Sequence, residues 1–581
     1  MHEVRKTVTV VFSDVAGSTA LGELLDPESL RCAMTRYFET ARRVHERHGG
    51  VVEKFIGDAV MAVYGIPRAH EDDPLRAVRA AFELRGEMDA LNRELRRELD
   101  VALRVRSGVA TGLVVAGDER QGHAFVGGDT VNVAARLQQT APAGEVLLGE
   151  ATWRLVADAV LVEPTSPFVP RGRRAPILAY RLLQVDPERA GRARRLDTPL
   201  VGRDRELAAL DGALDRVAAG GPGELVTVVS DAGVGKSRLL RAFAERAGER
   251  AQVLRCRCPS YGDGRGDRVV AALFAQATGT DRPDGLGGDP MATFRAVRRL
   301  LEALASRRPT VLLVDDLHWA EPDLLDLLEY VHAFAGQARL LLVVAARPEL
   351  LERRPCWTAQ AAGSTLRLEP LPAPQAAALA AGLGAAHGLD AAAAEQVAAW
   401  AEGVPLFVEE LLRHLGELAA PGHLGPPRPL AARLAEAAVP PAVEALLGAE
   451  LDQLPAEERA VLGLASMAGR VFDWELVAAL APAPLRPRVG ALLLALCRRQ
   501  LVRAAGGPHG DAYAFRHLLL REVAYQAIPR QERAVLHVRV AEHLPAGDGR
   551  VGDHLELAYR YLTDDRPRPP AATAPPVAAT A

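Results

Sequence analysis

The chain has 581 residues, of which 49% are hydrophobic and 25% charged, and its formal net charge is −4. This length is too great for one hydrophobic core and predicts about four domains. The near-neutral charge balance gives no overall basic field that would attract nucleic acid, and no apolar run approaches the roughly 18 residues of a membrane span. Five cysteines without metal-ligand spacing and an N-terminus without an apolar signal region favour a cytoplasmic protein away from membranes.

Lysine is almost absent from the chain. Arginine takes its place everywhere except at Lys6, Lys54 and Lys236, as a GC-rich genome would produce. A lysine that persists in such a composition is a candidate for a role that needs a compact ammonium group, and chance survival is the alternative.

The first predicted element is a buried strand within Thr7–Thr19, TVTVVFSDVAGST. Its β-branched and aromatic run ends at Asp14, and a turn of small residues then opens a helix. A carboxylate at a strand end could meet a metal ion, and a helix N-terminus favours phosphate. The alternative interpretation of Asp14 is a helix cap.

A second carboxylate follows in a similar position. The spacing of apolar residues predicts a helix over Pro27–His48, and VVEKFIGDAVMAVYG at Val51–Gly65 predicts a hairpin that turns at Gly57 and Asp58. Two carboxylates at neighbouring strand ends can share divalent cations such as Mg²⁺. Alone, Asp58 would be interpreted as a turn residue.

The next segments predict one long helix or two over Glu71–Asp100 and a strand over Val101–Val115. After a glycine turn, Asn132 and Arg136 lie four residues apart on one helix face. An amide and a guanidinium on one face could hold ribose and phosphate oxygens, and an ordinary surface pair is the alternative.

The segments FSDVAGST, EKFIGDAVMAVYG and GGDTVNVAARLQ, in this order, resemble the catalytic domain of class III nucleotidyl cyclases. The resemblance runs from about Val4 to Leu183, and we assign residues 1–185 to this domain. It implies a ferredoxin-like α+β fold, ATP as substrate, two Mg²⁺ or Mn²⁺ ions per site, and cyclic nucleotide and pyrophosphate as products. Because the family's site lies between two antiparallel catalytic domains, it also implies a homodimer.

The resemblance implies roles for individual positions. It assigns metal binding to Asp14, Asp58 and the Val15 carbonyl, recognition of the adenine edge to Lys54, orientation of the ribose to Asn132, and stabilisation of the transferring phosphate to Arg136. Phe125 stands where the family has an aspartate or threonine that reads the purine, which leaves the base selectivity open.

A polar linker at 186–198 leads to a second domain at 199–350, where the strand Glu224–Val229 precedes SDAGVGKSRLL. In this phosphate loop Gly233 and Gly235 free backbone N–H groups to surround phosphates, Lys236 reaches the β- and γ-oxygens, and Ser237 holds Mg²⁺. Ser230 stands where the motif has glycine. We therefore predict a P-loop α/β domain that binds ATP with Mg²⁺.

The strand TVLLVDD ends in Asp315, which would bind the metal's water shell, and Asp316, which would activate the attacking water. With VGRDREL, DDLHWAEP, AARPE and GVPLFVEEL, this domain resembles the signal-transduction ATPases with numerous domains. The resemblance implies that Arg347 senses the γ-phosphate and that Pro405, in a helical lid at 351–420, touches the nucleotide. Val404 stands where the family has asparagine. Such modules act as nucleotide switches.

After a linker at 421–438, the pattern predicts an almost wholly helical domain at 439–545. It resembles the winged-helix segment of the same ATPases, and because it has no basic recognition face we expect no direct nucleic-acid partner. The Pro/Ala-rich composition predicts that the tail at 546–581 is largely disordered.

The sequence thus predicts a multidomain α/β protein in which an adenylate cyclase is regulated by a C-terminal ATP-binding switch. Its input would be a protein or ligand of unknown identity. The alternative is a non-cyclising nucleotide-binding scaffold whose ATPase switch signals to a partner protein or to the transcription machinery. A transcription regulator is disfavoured because no appended DNA-binding domain is apparent.

Overall fold

The computed structural model describes most of the chain, namely residues 4–117, 126–169, 176–186, 200–259, 265–279, 289–355, 357, 363–385, 390–419, 439–506, 512–545 and 548–563. These form two compact units, one made of residues 1–194 and 418–581 and the other of residues 195–417. Within the described ranges, no helix is both long and apolar enough to cross a membrane.

The N-terminal domain is built on an eight-stranded sheet. Its strands are β1 (Val4–Val15), β2 (Val51–Ile56), β3 (Ala59–Tyr64), β4 (Val105–Ala116), β5 (Val126–Gly127), β6 (Val146–Gly149), β7 (Val160–Pro164) and β8 (Ala179–Val185). The order is β2-β3-β1-β4-β6-β8-β7, with β5 paired to β4. Strand β1 is central and antiparallel to both β3 and β4.

Helices cover both faces of this sheet. They are α1 (Ser18–Leu24), α2 (Pro27–Arg47), α3 (Asp73–Leu99), α4 (Asp129–Thr140) and α5 (Glu150–Val156). Because side chains alternate along a strand, Val11 packs into the cluster with Tyr37 of α2, whereas Val10 packs into the opposite cluster with Leu137 of α4. Burial on both faces explains the continuous apolar run of β1. The predicted helix over Pro27–His48 and the predicted hairpin are confirmed.

The second unit has a five-stranded parallel sheet in the order β10-β11-β12-β9-β13. The strands are β9 (Glu224–Val229), β10 (Gln252–Arg257), β11 (Thr310–Asp315), β12 (Leu340–Ala346) and β13 (Ser364–Arg367). The helices are α6 (Asp204–Ala218), α7 (Lys236–Ala247), α8 (Arg265–Thr278), α9 (Pro290–Arg307), α10 (Pro322–Phe334), α11 (Glu349–Arg353), α12 (Ala373–Gly384), α13 (Ala391–Ala401) and α14 (Pro405–Ala419). In such sheets ligands bind at the carboxyl ends of the strands, where β9 and β11 lead into the predicted site.

The described residues of 439–563 form what we call the C-terminal module. Its helices are α15 (Pro441–Asp452), α16 (Ala456–Ala468), α17 (Trp474–Leu480), α18 (Val489–Arg498), α19 (Leu518–Gln526), α20 (Arg530–His543) and α21 (Arg550–Leu562). A three-stranded sheet joins them, in the order β14 (Val471–Asp473), β16 (Ala512–Phe515), β15 (Val502–Ala505).

Two features of this module were not predicted. Three short strands interrupt the helical pattern predicted for 439–545, and with three or four residues each they are too short to show a period of two. The predicted tail contains the helix α21, whose Tyr561 is buried and hydrogen-bonded to the hydroxyl of Tyr525 over 2.9 Å. Ala558 and Tyr561 are the buried residues of this amphipathic helix. Residues 564–581 lie outside the described part.

Candidate active site

Asp14 and Asp58 lie at the same end of the N-terminal sheet. On β1, Asp14 is directly opposite Ala59 of β3 on one side and Arg106 of β4 on the other. Asp58 occupies the turn just before Ala59, and Gly57 in that turn has a φ of +64°, which favours glycine. The hairpin register therefore brings the two carboxylates together, as the sequence predicted.

Asp14 is not a helix cap, because the N-cap of α1 is Gly17. Its Oδ2 atom accepts hydrogen bonds from Arg106 Nη2 at 3.0 Å and from Gln138 Nε2 at 2.9 Å. Its buried Oδ1 atom has no hydrogen-bond donor. One oxygen is thus held in place while the other is left for a cation.

The two carboxyls influence each other's ionisation. Burial, followed by the neighbouring Asp58 carboxyl, raises the pKa of Asp14. Burial also acts to raise the pKa of Asp58, but the Ser18 hydroxyl and the adjoining Asp14 carboxyl outweigh it and lower that pKa. A divalent cation between the two groups would relieve the cost of ionising both.

The structure supports a metal site only in part. No group of three or more His, Cys, Asp or Glu side chains suited to a metal occurs in the described ranges. The two aspartates could hold a cation only with oxygens from elsewhere, such as backbone, water or substrate phosphate. Val15, whose carbonyl is the predicted third ligand, is the buried last residue of β1.

The other predicted site residues lie on the surface. Lys54 has 43% of its side chain exposed and its Nζ atom is 3.8 Å from Glu53 Oε1. Asn132 and Arg136 are both exposed on α4, and Arg136 donates to Gln139 Oε1 at 2.8 Å. Within the described ranges, no hydrogen bond or ion pair joins these three side chains to either carboxylate. Phe125 lies outside the described residues.

Sequence reasoning missed Arg106 and Gln138 as partners of Asp14. Gln138 is two residues beyond Arg136 on α4 and is buried, so it projects toward the sheet while Arg136 projects outward. The helical period could have indicated this inward position. Nothing in the sequence indicated that the inward residue would contact Asp14.

In the second unit, the lysine of the phosphate loop donates hydrogen bonds to carbonyl oxygens of the same loop. Lys236 is buried, and its Nζ atom donates to the carbonyl oxygens of Ser230 at 2.7 Å and Asp231 at 2.9 Å. Gly233 and Gly235 have φ values of +80° and +110°, respectively, as a phosphate loop requires. Ser230 is not among the described residues with positive φ, which explains why serine is tolerated there. Ser237 follows Lys236 in the first turn of α7.

The two predicted acids differ in their surroundings. Asp315 ends β11, and its Oδ1 atom accepts the backbone N–H of Asp316 at 2.9 Å. Asp316 is buried, has a φ of +56°, and accepts from Arg257 Nε at 2.8 Å. Arg347 follows β12, and its guanidinium lies 5.9 Å from the centre of the Trp319 ring.

The lid segment touches the phosphate loop directly. The backbone N–H of Leu406 donates to the Gly233 carbonyl at 3.2 Å, one residue after Pro405, which begins α14. A Cβ atom on Gly233 would lie 2.9 Å from the Leu406 Cβ and 3.2 Å from a Val404 methyl. Glycine is therefore required at 233 by space as well as by φ.

Arg203 also supports this loop, and sequence reasoning did not single it out within VGRDREL. The side chain is buried and donates from Nη2 to the carbonyls of Val234 at 3.2 Å and Glu369 at 2.6 Å. It connects the start of the unit, the phosphate loop and the segment after β13.

Comparison with known families finds a match for each of the two domains that carry these sites. Residues 1–182 match the family described as the adenylate and guanylate cyclase catalytic domain, and residues 199–344 match the AAA ATPase domain. The chain therefore carries a nucleotidyl cyclase catalytic domain followed by an AAA ATPase domain, as its motifs predicted.

Individual proteins resemble this chain over different lengths. An uncharacterized protein of Rhizobium meliloti is 29% identical over 92% of this chain and 56% of its own length. Adenylate cyclase 1 of Rhizobium meliloti is 29% identical over 31% of this chain and 28% of its own length. The chain thus spans about half or less of these relatives. Among solved structures, the adenylyl cyclase CyaB from P. aeruginosa is 28% identical over 32% of this chain and 98% of that chain, with a TM-score of 0.31.

Proposed function

We propose that the N-terminal domain, residues 1–185, is an adenylate cyclase that converts ATP to cyclic AMP and pyrophosphate. The observation that carries this proposal is the pair of aspartates at one sheet end, with the Oδ1 atom of Asp14 left without a donor. Two Mg²⁺ or Mn²⁺ ions, held by Asp14, Asp58 and the Val15 carbonyl, would acidify the ribose 3′-hydroxyl and neutralise charge on the leaving pyrophosphate.

The remaining groups act on the nucleotide. Arg136 supplies a positive charge to the transferring phosphate, because a guanidinium can donate two hydrogen bonds to phosphate oxygens. Asn132 orients the ribose, and Lys54 donates to the adenine edge, which favours ATP over GTP. Phe125 stands at the purine-reading position, and comparing the products from ATP and from GTP measures how it affects that selectivity.

We propose that the active form is a homodimer. The supporting observation is that Lys54, Asn132 and Arg136 are exposed in a single chain and make no contact with the aspartates. A second copy in antiparallel arrangement would bring its own three side chains to the aspartates of the first, so that one dimer has two equivalent sites.

We propose that the second unit binds ATP with Mg²⁺ and acts as a switch that regulates the cyclase, with residues 351–420 as its lid. The contact between Leu406 and Gly233 supports this, because a backbone hydrogen bond joins the phosphate loop directly to the lid. The nucleotide would also displace Lys236 from the carbonyls it now contacts. We further propose a winged-helix fold for the module around β14–β16 and a cytoplasmic location for the protein.

The deciding experiment incubates the purified full chain with ATP or GTP and either Mn²⁺ or Mg²⁺, and separates the products by chromatography. We expect cyclic AMP and pyrophosphate from ATP, little product from GTP, and none from Asp14→Ala. If the wild-type chain binds nucleotide but makes no cyclic product with either metal, the non-cyclising scaffold is the correct function.

The homodimer has its own test. Asp14→Ala and Arg136→Ala should each be inactive alone, whereas their mixture should regain about one quarter of wild-type activity, because half of the dimers are mixed and each has one intact site. A mixture as inactive as its components, despite demonstrated subunit exchange, would contradict the shared site.

A further inference from the structure

The start of β1 carries a contact that the proposed cyclase reaction does not use. Strand β3 pairs with β1 only from Thr9 onward, which leaves one edge of the first β1 residues without a strand partner. The C-terminal module covers that edge, and the N–H of Arg5 donates to the Ala527 carbonyl at 3.1 Å. An unpaired edge of this kind needs a cover, and here the cover comes from the far end of the same chain.

The next two residues of β1, Lys6 and Thr7, contact the same module through their side chains. The Thr7 hydroxyl donates to Glu444 Oε1 at 2.6 Å, and Lys6 Nζ lies 2.6 Å from Asp452 Oδ2. Successive residues of β1 thus each contact the module. Lys6 is the one rare lysine to which neither nucleotide site gives a role.

The pair of Lys6 and Asp452 is the centre of the contact. Their side chains are only 12% and 7% exposed. Lys6 also donates to the Pro67 carbonyl at 2.8 Å, and Asp452 accepts the N–H of Ala69 at 3.0 Å and a hydrogen bond from Arg459 at 2.9 Å. This pair therefore joins β1, the segment after β3 and helix α15.

The contact is polar. Burial raises the pKa of Glu444, and burial followed by the nearby Arg533 lowers the pKa of Arg5. Neither apolar cluster of the N-terminal domain includes a described residue of the C-terminal module. Replacing one partner of a buried ion pair leaves the other charge unpaired, so this contact should depend strongly on both Lys6 and Asp452.

The connectivity places a nucleotide-binding unit between the two partners of this contact. The ATPase unit, residues 195–417, lies in the chain between the cyclase domain and the module that folds back onto it. The strand that begins at the contact ends at Asp14 and Val15, and it is held on both sides in the sheet centre. A displacement at its start would reach the carboxylate through a continuous, stiff element.

We propose that the C-terminal module is an intramolecular regulatory partner of the cyclase domain, which docks on the start of β1 through Lys6 and Asp452 and is engaged or released according to the nucleotide at Lys236. The inference rests on the proposed function for its consequence, but the docking itself can be measured without any cyclase activity.

The first test is hydrogen exchange on the full chain. Lys6→Gln and Asp452→Asn should each accelerate exchange of the Arg5 and Ala69 amides by about tenfold or more, while the amides of Val8–Val11 stay protected. Arg36→Gln removes the ion pair with Glu98 elsewhere in the same domain and should change neither. If Lys6→Gln also loses protection at Val8–Val11, Thr7→Val repeats the test with loss of one hydroxyl. Unchanged exchange at Arg5 and Ala69 in the variants that stay folded overturns the proposal.

The second test asks whether nucleotide controls docking. In an Asp14→Ala chain, which cannot cyclise ATP, exchange at Arg5 and Ala69 should differ by about threefold or more between ATP and ADP, and this difference should vanish when Lys236→Ala is added. Equal exchange in the two nucleotides overturns the regulatory role. A wild-type chain without cyclase activity would instead refute the proposed function and leave both exchange tests valid.

Discussion

Gln138 donates from Nε2 to the Oδ2 atom of Asp14 across 2.9 Å and so connects helix α4 to the carboxylate at the end of β1. The same helix presents Asn132 and Arg136 on its exposed side. Helix α4 therefore orients Asp14 of its own chain through Gln138 and exposes Asn132 and Arg136 to solvent. This arrangement links the orientation of the aspartate to the position of the proposed nucleotide-binding face.

Replacing this amide should weaken metal binding. We expect Gln138→Leu to lower the affinity for Mn²⁺ by about tenfold, because a ligand that loses an orienting hydrogen bond commonly costs this much. The measurements are the Mn²⁺ dependence of cyclase rate and Mn²⁺ binding without nucleotide, by electron paramagnetic resonance. Gln139→Leu, one residue along and exposed, is the matched control for Mn²⁺ binding without nucleotide, in which its hydrogen-bond partner Arg136 has no role. Wild-type Mn²⁺ affinity in Gln138→Leu would show that Arg106 alone positions Asp14.

Arg203 should be needed for nucleotide binding by the second unit. Arg203→Met leaves the Val234 and Glu369 carbonyls without their donor, and we expect about tenfold or greater loss of ATP affinity at the phosphate loop. The assay is titration with a fluorescent ATP analogue, counting only the binding that Lys236→Ala abolishes. Arg205→Met, exposed in the first turn of α6 two residues further along, should bind as wild type does. Equal affinities in the two variants would contradict the supporting role.

A buried hydrogen bond should stabilise the second unit. The indole N–H of Trp357 donates to Thr227 Oγ1 at 3.0 Å, and both residues are buried. Thr227→Val should reduce stability by about 1–3 kcal/mol, because it leaves a buried donor unpaired. The measurement is proteolysis in a urea series, scored on fragments of the second unit.

A double-variant cycle separates this bond from packing. Trp357→Phe removes the donor, so adding Thr227→Val to it should cost less than Thr227→Val does in the wild-type chain. Additive losses would mean that the hydrogen bond contributes nothing beyond packing.

The N-terminal domain should lose stability in mild acid through His45. Burial, and then the nearby His48, lowers the pKa of His45 to about 3, and its Nδ1 atom lies 2.9 Å from the Tyr64 hydroxyl. The unfolded chain takes up this proton below pH 6.5, whereas the folded domain does not until about pH 3. The contribution of neutral His45 to the free energy of unfolding is therefore complete above pH 6.5. It falls by about 1.4 kcal/mol per pH unit as the pH decreases from 6.5 toward 3.

His45→Asn isolates this effect, because asparagine can replace the Nδ1 hydrogen bond without titrating. The measurement is hydrogen exchange of β1 amides, corrected for its intrinsic pH dependence. Between pH 6 and pH 5 the variant should lose less stability than the wild type, by close to the slope above. Parallel losses would contradict a neutral, buried His45.

Much of the fold could be predicted from the sequence because its signals are local. Apolar periodicity indicated α2, the β2–β3 hairpin and the parallel strands around the phosphate loop, and turn glycines such as Gly57 and Gly235 marked where φ must be positive. The short strands of the C-terminal module were not predicted, because three or four residues are too few to show a period of two. Helix α21 was missed although its apolar residues recur at helical spacing, because the Pro/Ala-rich composition of the residues after it set the prediction for the tail.

The sequence by itself determined the residue types at each predicted site and their order, because carboxylates, phosphate-loop glycines and the phosphate-loop lysine are chemical requirements at fixed spacings. Only the tertiary structure decided which side chains meet. It brought Gln138 and Arg106 to Asp14, Arg203 to the phosphate loop and Asp452 to Lys6. Contacts across such separations depend on strand register and helix packing, and no local stretch of sequence encodes them.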